Sequence, residues 1–519
     1  MENRLDRRRR WTRSRRDFLR ISSLGLGSLP LIQPARIMAS GARRSSPQVR
    51  EIGSRLELFV DDWLIETMKG VDLKLHRPVP REVVLEFDRP WEGSLSYAPV
   101  YMKEGDRYRL WYRGGGVWDG IRADRRPEPC TCYAESRDGI HWERPVLGIH
   151  ETRGIRGFEP SRDNNIVIHG STAQHVCVFK DSNPAAPEHE RYKAIGLSSG
   201  FDPPGTLRGL VSPDGLHWTV LDRDPILTAT GDDHWPHFDS HNTALWDPNL
   251  GQYVAYMRGM DPRFGVFETY PPGIRSIRRS VSTDFRTWSK PQFIELGDAP
   301  VEHLYMNACD LYYRAPHLYL MFPKRFFPKR KVRQDWTASG ISESVFMTSR
   351  DGIHWDRRFM EAFLRPGPDP DNWTDRNMYK GVGIVPTGPA EMSIYYVEHY
   401  RHPSVRLRRG TLRIDGFVSV NGGYSGGELL TRPLVFQGRE LALNYATSAA
   451  GSLRVEVQDG QGKPVDGFGL ADCGELVGDE IERVVAWRPG RDLSSLSGTP
   501  VRLRFAVKDA DLYSIRFRT

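Results

Sequence analysis

One short motif returns four times along the chain, and no other feature restricts the fold as much. Ser136-Arg137-Asp138-Gly139-Ile140-His141-Trp142 recurs as Ser212-Pro213-Asp214-Gly215-Leu216-His217-Trp218 and as Ser349-Arg350-Asp351-Gly352-Ile353-His354-Trp355. A decayed copy reads Ser282-Thr283-Asp284-Phe285-Arg286-Thr287-Trp288. The Asp positions lie 76, 70 and 67 residues apart, a near-constant period that signals a repeat architecture. The residue types are those of a turn: Ser and Asp cap a tight bend, Gly supplies a positive φ, and Trp packs between neighbouring sheets. The motif is therefore read as structural, and none of its Asp or His residues is a catalytic candidate.

Two strand-like runs joined by a polar turn precede each copy: 98–102 with 108–112, 175–179 with 192–197, 243–246 with 252–257, and 308–313 with 317–322. A third run leads into each motif and a fourth leaves it. Four antiparallel strands per unit of about 70 residues describe a propeller blade. A fifth unit without the motif fits 378–385, 392–397 and 405–414. The expected fold class is all-β: a five-bladed β-propeller within residues 50–418, its blades over about 82–418, followed by a C-terminal β-sandwich over 420–519. The run Leu56–Ile65 is expected to close the ring against the last blade. The sandwich rests on strictly alternating strands at 441–445, 453–458, 501–507 and 512–517.

Charge is unevenly placed. The whole chain is +7, but residues 1–50 hold thirteen Arg and three acids, and the rest carries 60 basic and 63 acidic residues. The basicity belongs to the leader, so no nucleic-acid partner is expected. Within the leader, Ser14-Arg15-Arg16-Asp17-Phe18-Leu19-Arg20 precedes a weakly apolar stretch, Ile21 to Ile32, and then Ala39-Ser40-Gly41-Ala42. Residues 1–42 resemble a twin-arginine export signal, which implies a periplasmic or extracellular protein. No run of 18 apolar residues follows, so no membrane span is expected. The five cysteines (130, 132, 177, 309 and 473) show neither disulfide nor zinc spacing and read as buried apolar residues.

In a propeller the innermost strands line a central funnel, so position within a blade filters candidates. The segments leading into the first strands carry Glu92 and Tyr97, His175, Asp239 with His241 and Asn242, Glu302 with His303 and Asn307, and Asp375 with Arg376 and Tyr379. The ends of the second strands add Arg113, Arg258, Lys324-Arg325 and His399-Tyr400-Arg401-His402. Carboxylates among cations beneath aromatic rings suit a polar sugar, and the cations favour an anionic one, a uronic acid or a sulfated sugar.

On these residues the chain resembles five-bladed propeller glycoside hydrolases of the invertase (family 32) and arabinanase (family 43) type. It also resembles a loosely defined group of secreted, glycosyl-hydrolase-like bacterial proteins that share Leu58-Phe59-Val60-Asp61-Asp62-Trp63-Leu64-Ile65 and the stretch 133–142. The families use Asp on blade one, where Glu92 stands here, and their Arg-Asp-Pro and Glu-Cys signatures are absent. The resemblance implies glycoside hydrolysis with Glu302 as acid, Glu92 as base or nucleophile and Asp239 stabilising oxocarbenium-like charge. It implies an oligo- or polysaccharide substrate. Some relatives hold a structural calcium, but no contiguous calcium loop occurs here and no metal ligand is assigned. Three rivals remain: a sialidase-like enzyme, a glycoside phosphorylase using Arg113, Arg258 and Arg325 for phosphate, and a carbohydrate-binding propeller without turnover.

Overall fold

A computed structural model describes residues 49–519 except 119–122, 125–127, 153–158, 171, 198–204, 222–224, 229–237, 262 and 264–272. The expected signal at 1–42 lies outside the described residues. The described chain is strand, turn and a few single-turn 3-10 helices. No helix among the described residues is long and apolar enough to cross a membrane.

Antiparallel sheets succeed one another along the sequence. The first is built from Tyr97–Glu104, Arg107–Gly114, Cys130–Ser136 and Trp142–Glu143. The second runs through Gln174–Lys180, Tyr192–Leu197, Thr206–Ser212 and Thr219–Val220, and the third through Thr243–Asp247, Gln252–Asp261, Ile274–Ser282 and Gln292–Phe293. The fourth is split into two three-stranded pieces, His303–Tyr305 with Lys324–Phe327 and Ile341–Ser344, and Asp310–Tyr312 with Ala315–Met321 and Met347–Ser349. The fifth holds Tyr379–Lys380, Glu391–Glu398 and Arg406–Arg413, and its outer strand is Val79–Glu86 from the start of the chain.

The repeated motif builds the same turn each time. Asp138 Oδ1 accepts from the backbone N–H of Ile140 and His141 (2.8 Å each), and Gly139 N donates to Ser136 Oγ (2.9 Å). The copies at Asp214 and Asp351 repeat these bonds. Each turn then docks on the preceding sheet. Trp111 Nε1 of the first sheet donates to Gly215 O (2.8 Å), and Tyr256 Oη of the third donates to Gly352 O (2.9 Å). A Cβ on Gly352, whose φ is 74°, would lie 2.5 Å from that hydroxyl, so only glycine fits. In the decayed copy Phe285 holds the same left-handed φ (62°) and packs on Phe179 of the second sheet, centroids 5.7 Å apart. Tyr312 of the fourth sheet donates to Asp415 (2.7 Å), in the turn after the fifth sheet's Arg406–Arg413. Tyr395 of the fifth sheet donates to Gly139 O in the first sheet's turn. The docking contacts thus run in a closed cycle, and one apolar core reaches all five of these sheets, with a second, smaller cluster between the third and fourth.

Two expectations need correction. The stretch Leu56–Ile65 does not close the cycle. Glu57–Leu58 and Ile65–Lys69 pair with the C-terminal strands Val501–Arg518 and Gly427–Thr431. With Arg50–Gly53 and Val71–Leu75, residues 50–75 belong to a ten-stranded C-terminal sheet with its own core rather than to the repeat region. The reason lies in pairing geometry: Val79–Glu86 finds the free edge of Arg406–Arg413, and the chain before it is left to the other sheet. The four short C-terminal strands are also two long ones, Glu440–Asp459 and Val501–Arg518, each continuous through register shifts. All five cysteines are free and buried, as the sequence suggests.

Candidate functional site

The starts of the first strands and the ends of the second strands meet at one cavity of about 210 Å³. Non-glycine residues in the left-handed region gather there: Ala98, His175, Met306, Arg376 and Arg401 have φ of 56°, 56°, 54°, 61° and 74°. Backbone held in this way costs energy and is kept where surrounding structure fixes side chains for a task.

Six basic side chains line the cavity: Arg113, Arg258, Arg275, Lys324, Arg376 and Arg401. Among the described residues one carboxylate, Asp239, lines it with them. Desolvation in the cavity would raise the Asp239 pKa, but its side chain keeps 54% of its surface exposed, and Arg258 Nη1 at 3.7 Å, with Arg113, holds it below the ordinary carboxylate range. Burial and the neighbouring Arg376 pull the Lys324 ammonium down to about 7, while its Nζ donates to Arg376 O (2.6 Å). Burial lowers Arg275 to about 10, and its Nη1 is buried with no hydrogen-bond partner among the described residues. Its guanidinium instead lies 5.7 Å from the Tyr305 ring centre and 5.0 Å from that of Phe326.

A polar pair faces these cations. Tyr97 Oη contacts His175 Nε2, and Arg113 Nη1 lies 3.1 Å from the same nitrogen. A guanidinium only donates, so Nε2 is the acceptor and the proton sits on Nδ1. Burial and Arg113 push the His175 pKa well below its ordinary value, and burial pushes the Tyr97 phenol well up. Both groups rest neutral. Arg113 also lies over the Tyr97 ring at 5.2 Å, and Tyr400 meets that ring edge-on at 5.2 Å.

Of the residues expected from sequence, Asp239, Tyr97, Arg113, His175, Arg258, Arg376 and Tyr379 line the cavity. The three carboxylates do not converge. Glu92 is fully buried away from the cavity, where it accepts from Tyr112 Oη (2.6 Å) and Arg89 N (2.9 Å) and pairs with Arg144 (3.0 Å). Burial raises its pKa. Glu302 is held by Arg325 (3.4 Å) and Arg357, outside the lining. Arg144 and Arg357 each stand two residues after a motif Trp, so these two ion pairs are repeat-related parts of the scaffold. Arg325 is taken up by Glu302, Glu343 and Met360 O and does not reach the cavity.

The remaining candidates position others. His241 Nδ1 meets Tyr379 Oη, and Asn242 bonds Phe238 O, Ser240 O and Arg258 N (3.0 Å each). Asn307 bonds Thr243 Oγ1 (2.7 Å) and Tyr256 O (3.0 Å). His303 Nδ1 accepts from Arg275 N (3.2 Å), and burial draws it down to about 4. Asp375 lies behind the cavity wall, bonded by Arg376, Arg401 and Trp336 Nε1. His399 binds Asp369 (2.8 Å) and Ser404 (2.9 Å). Asp369, Asp371 and His399 could together face a metal ion, but Arg406 (3.0 Å) and Arg333 (2.6 Å) already neutralise the two carboxylates. Sequence reasoning missed Arg275, which sits on a third strand, Ile274–Ser282. Lys324 and Arg401 stood among the second-strand cations expected to meet an anionic sugar, and both line the cavity, whereas Tyr305 and Tyr400 stood in the compared segments with nothing to separate them from their neighbours.

No protein-family model matches the chain. An uncharacterized protein of Mycobacterium tuberculosis (strain CDC 1551 / Oshkosh), MT1551, is 27% identical over 184 residues, 36% of this chain and 49% of that one. Its counterpart Rv1502 from strain ATCC 25618 / H37Rv is 24% identical over the same length. The chain thus spans about half the length of the curated relatives it matches. Among solved structures, a family 43 arabinoxylan arabinofuranohydrolase from Bacillus subtilis, in complex with cellotetraose, aligns with a TM-score of 0.40 at 14% identity, over 82% of this chain and 96% of that one. A family 130 protein, described among mannoside phosphorylases and hydrolases of β-1,2 mannosidic linkages, aligns at 0.37 and 14%, over 69% and 96%. Likeness this loose assigns no chemistry.

Proposed function

We propose that this is an exported carbohydrate-active enzyme, a five-bladed β-propeller followed by a β-sandwich, that binds an anionic saccharide in its central cavity and breaks a glycosidic bond there. The closed cycle of docking turns and the closing strand Val79–Glu86 support the propeller. The leader supports export. The observation that carries the function is the imbalance in the cavity, where six cations face one carboxylate, Asp239, among the described lining residues. Burying like charges together is unfavourable unless a counter-charge arrives, and Arg holds carboxylate or sulfate bidentately. The acid pair Glu302 and Glu92 is replaced in this reading by Asp239, the one carboxylate among the described residues that line the cavity.

The test is a panel of uronate, sulfated and neutral oligosaccharides, scored for binding and cleavage at low and high salt. Anionic ligands should be preferred, should weaken as salt rises, and should lose about tenfold or more in affinity with Arg275→Ala, the loss of one charged hydrogen bond. Equal binding of neutral sugars, unaffected by salt, refutes it. A second reading, phosphate-dependent cleavage, rests on Arg113 and Arg258 in the same cavity, and strict dependence of turnover on inorganic phosphate would select it.

A further inference from the structure

We infer that the saccharide is a uronate and that its bond is broken by β-elimination rather than hydrolysis, with Tyr97 and His175 carrying the proton. The inference rests on the proposed binding of an anionic saccharide and adds the reaction type and the residues.

Hydrolysis by two carboxylates needs a pair flanking the scissile bond. The cavity offers Asp239 alone among its described lining, because Asp375 is consumed behind the wall by Arg376, Arg401 and Trp336. Elimination needs different parts. The sugar carboxylate must be neutralised so that the adjacent C–H becomes acidic, and fixed cations do this in a dry site. Arg275, Lys324 and Arg376 lie around Tyr305 on that wall, and the Arg275 Nη1 is buried there without a hydrogen-bond partner among the described residues. A neutral, oriented acid–base group must also stand within reach of the same cavity. Tyr97 and His175 supply it: the His175 Nε2 lone pair is shared between the phenol and Arg113 at 3.1 Å, and Arg113, 5.2 Å from the Tyr97 ring centre, stabilises phenolate. Ala98 and His175 hold the pair through two left-handed backbone positions.

The step balances without a co-reactant. The Tyr97 oxygen takes the proton from the carbon next to the carboxylate while its own proton moves to His175 Nε2. The C–H electron pair forms a carbon–carbon double bond, the bond from the β-carbon to the glycosidic oxygen breaks, and that oxygen leaves with its electron pair. The pair then returns one proton to the leaving oxygen, so no water is consumed.

The test uses the full chain and homo-oligomers of galacturonate, glucuronate, mannuronate and guluronate in isotopically labelled water. The expected result is a product with the ultraviolet absorbance of a conjugated unsaturated uronate and no label. Tyr97→Phe and His175→Asn should each lower kcat by about 10²-fold or more, as for loss of a general acid–base group, while the uncut oligomer still binds. Retained binding shows that the variants fold. Cleavage with label incorporated and no absorbance overturns elimination but leaves the anionic-saccharide reading standing. Binding without cleavage also overturns elimination. Failure of every uronate to bind overturns the underlying reading first. Full turnover in Tyr97→Phe removes the pair from the step.

Discussion

Lys324 makes the charge of the cavity depend on pH near neutrality. It is buried, and its pKa falls from 10.5 to about 7. The free protein therefore carries an ammonium there below about pH 7 and an amine above. A bound anion favours the ammonium, so binding above that point must draw in one proton. Affinity for an anionic saccharide should be flat below about pH 7 and fall at most tenfold per pH unit above it, reaching about a hundredfold by pH 9. Among the described residues no other group lining the cavity competes. Burial and Arg113 hold His175 well below its ordinary value, the nearby His241 and His303 sit at about 3 and about 4, and cations keep Asp239 ionised. Asp310 and Lys380, at about 6 and about 7, form a separate buried pair that does not line the cavity. Calorimetric titration in buffers of different ionisation enthalpy would read the proton uptake directly. Lys324→Met should bind more weakly at low pH and show no slope. The unliganded protein should also gain stability as pH rises from about 7, because the unfolded lysine keeps its proton up to 10.5. Wild-type affinity unchanged between about pH 6 and pH 9, or a slope that survives Lys324→Met, would refute this account of the cavity charge.

Two further perturbations separate scaffold from chemistry. Trp355→Ala removes a buried ring packed edge-on against Tyr256 at 5.6 Å and should cost about 3–5 kcal/mol, read as a lower melting temperature with turnover per folded molecule unchanged. Glu302→Gln should cost about 1–3 kcal/mol by weakening its hold on Arg357 and should leave turnover intact; a folded variant without activity would return Glu302 to the mechanism.

The repeat was legible because its information is local. Ser, Asp, Gly, His and Trp at fixed spacing bond to one another within a single turn, and the structure builds that turn at each copy. The acids were harder because a position near a strand start fixes depth in the ring and leaves open which way the side chain turns. Glu92 and Glu302 turn away, toward arginines 52 and 55 residues later in the chain. The signal was present, since Arg144 and Arg357 both follow a motif Trp by two residues, but reading it requires comparing the copies beyond the motif itself. Closure of the cycle by Val79–Glu86 was missed for a related reason. An eight-residue strand with four exposed residues at its start carries little apolar pattern, and its partner is over 300 residues away.

The same cyclic construction explains how so many cations are held at one point. The first, third, fourth and fifth sheets supply Arg113, Arg258 and Arg275, Lys324, and Arg376 with Arg401, while the second supplies His175. No sheet could gather these groups alone, because strands of one sheet diverge with their twist. The energy that opposes their repulsion is therefore spread over the shared core and the docking turns. Weakening a turn on the far rim should loosen the ring as a whole, and the cavity, where like charges already push outward, has the most to lose from that loosening. Strain at Ala98, His175, Met306, Arg376 and Arg401 fits the same balance: the backbone is kept in left-handed geometry by packing around the ring, and what that geometry achieves is the convergence of six cations and a neutral Tyr–His pair on one small volume.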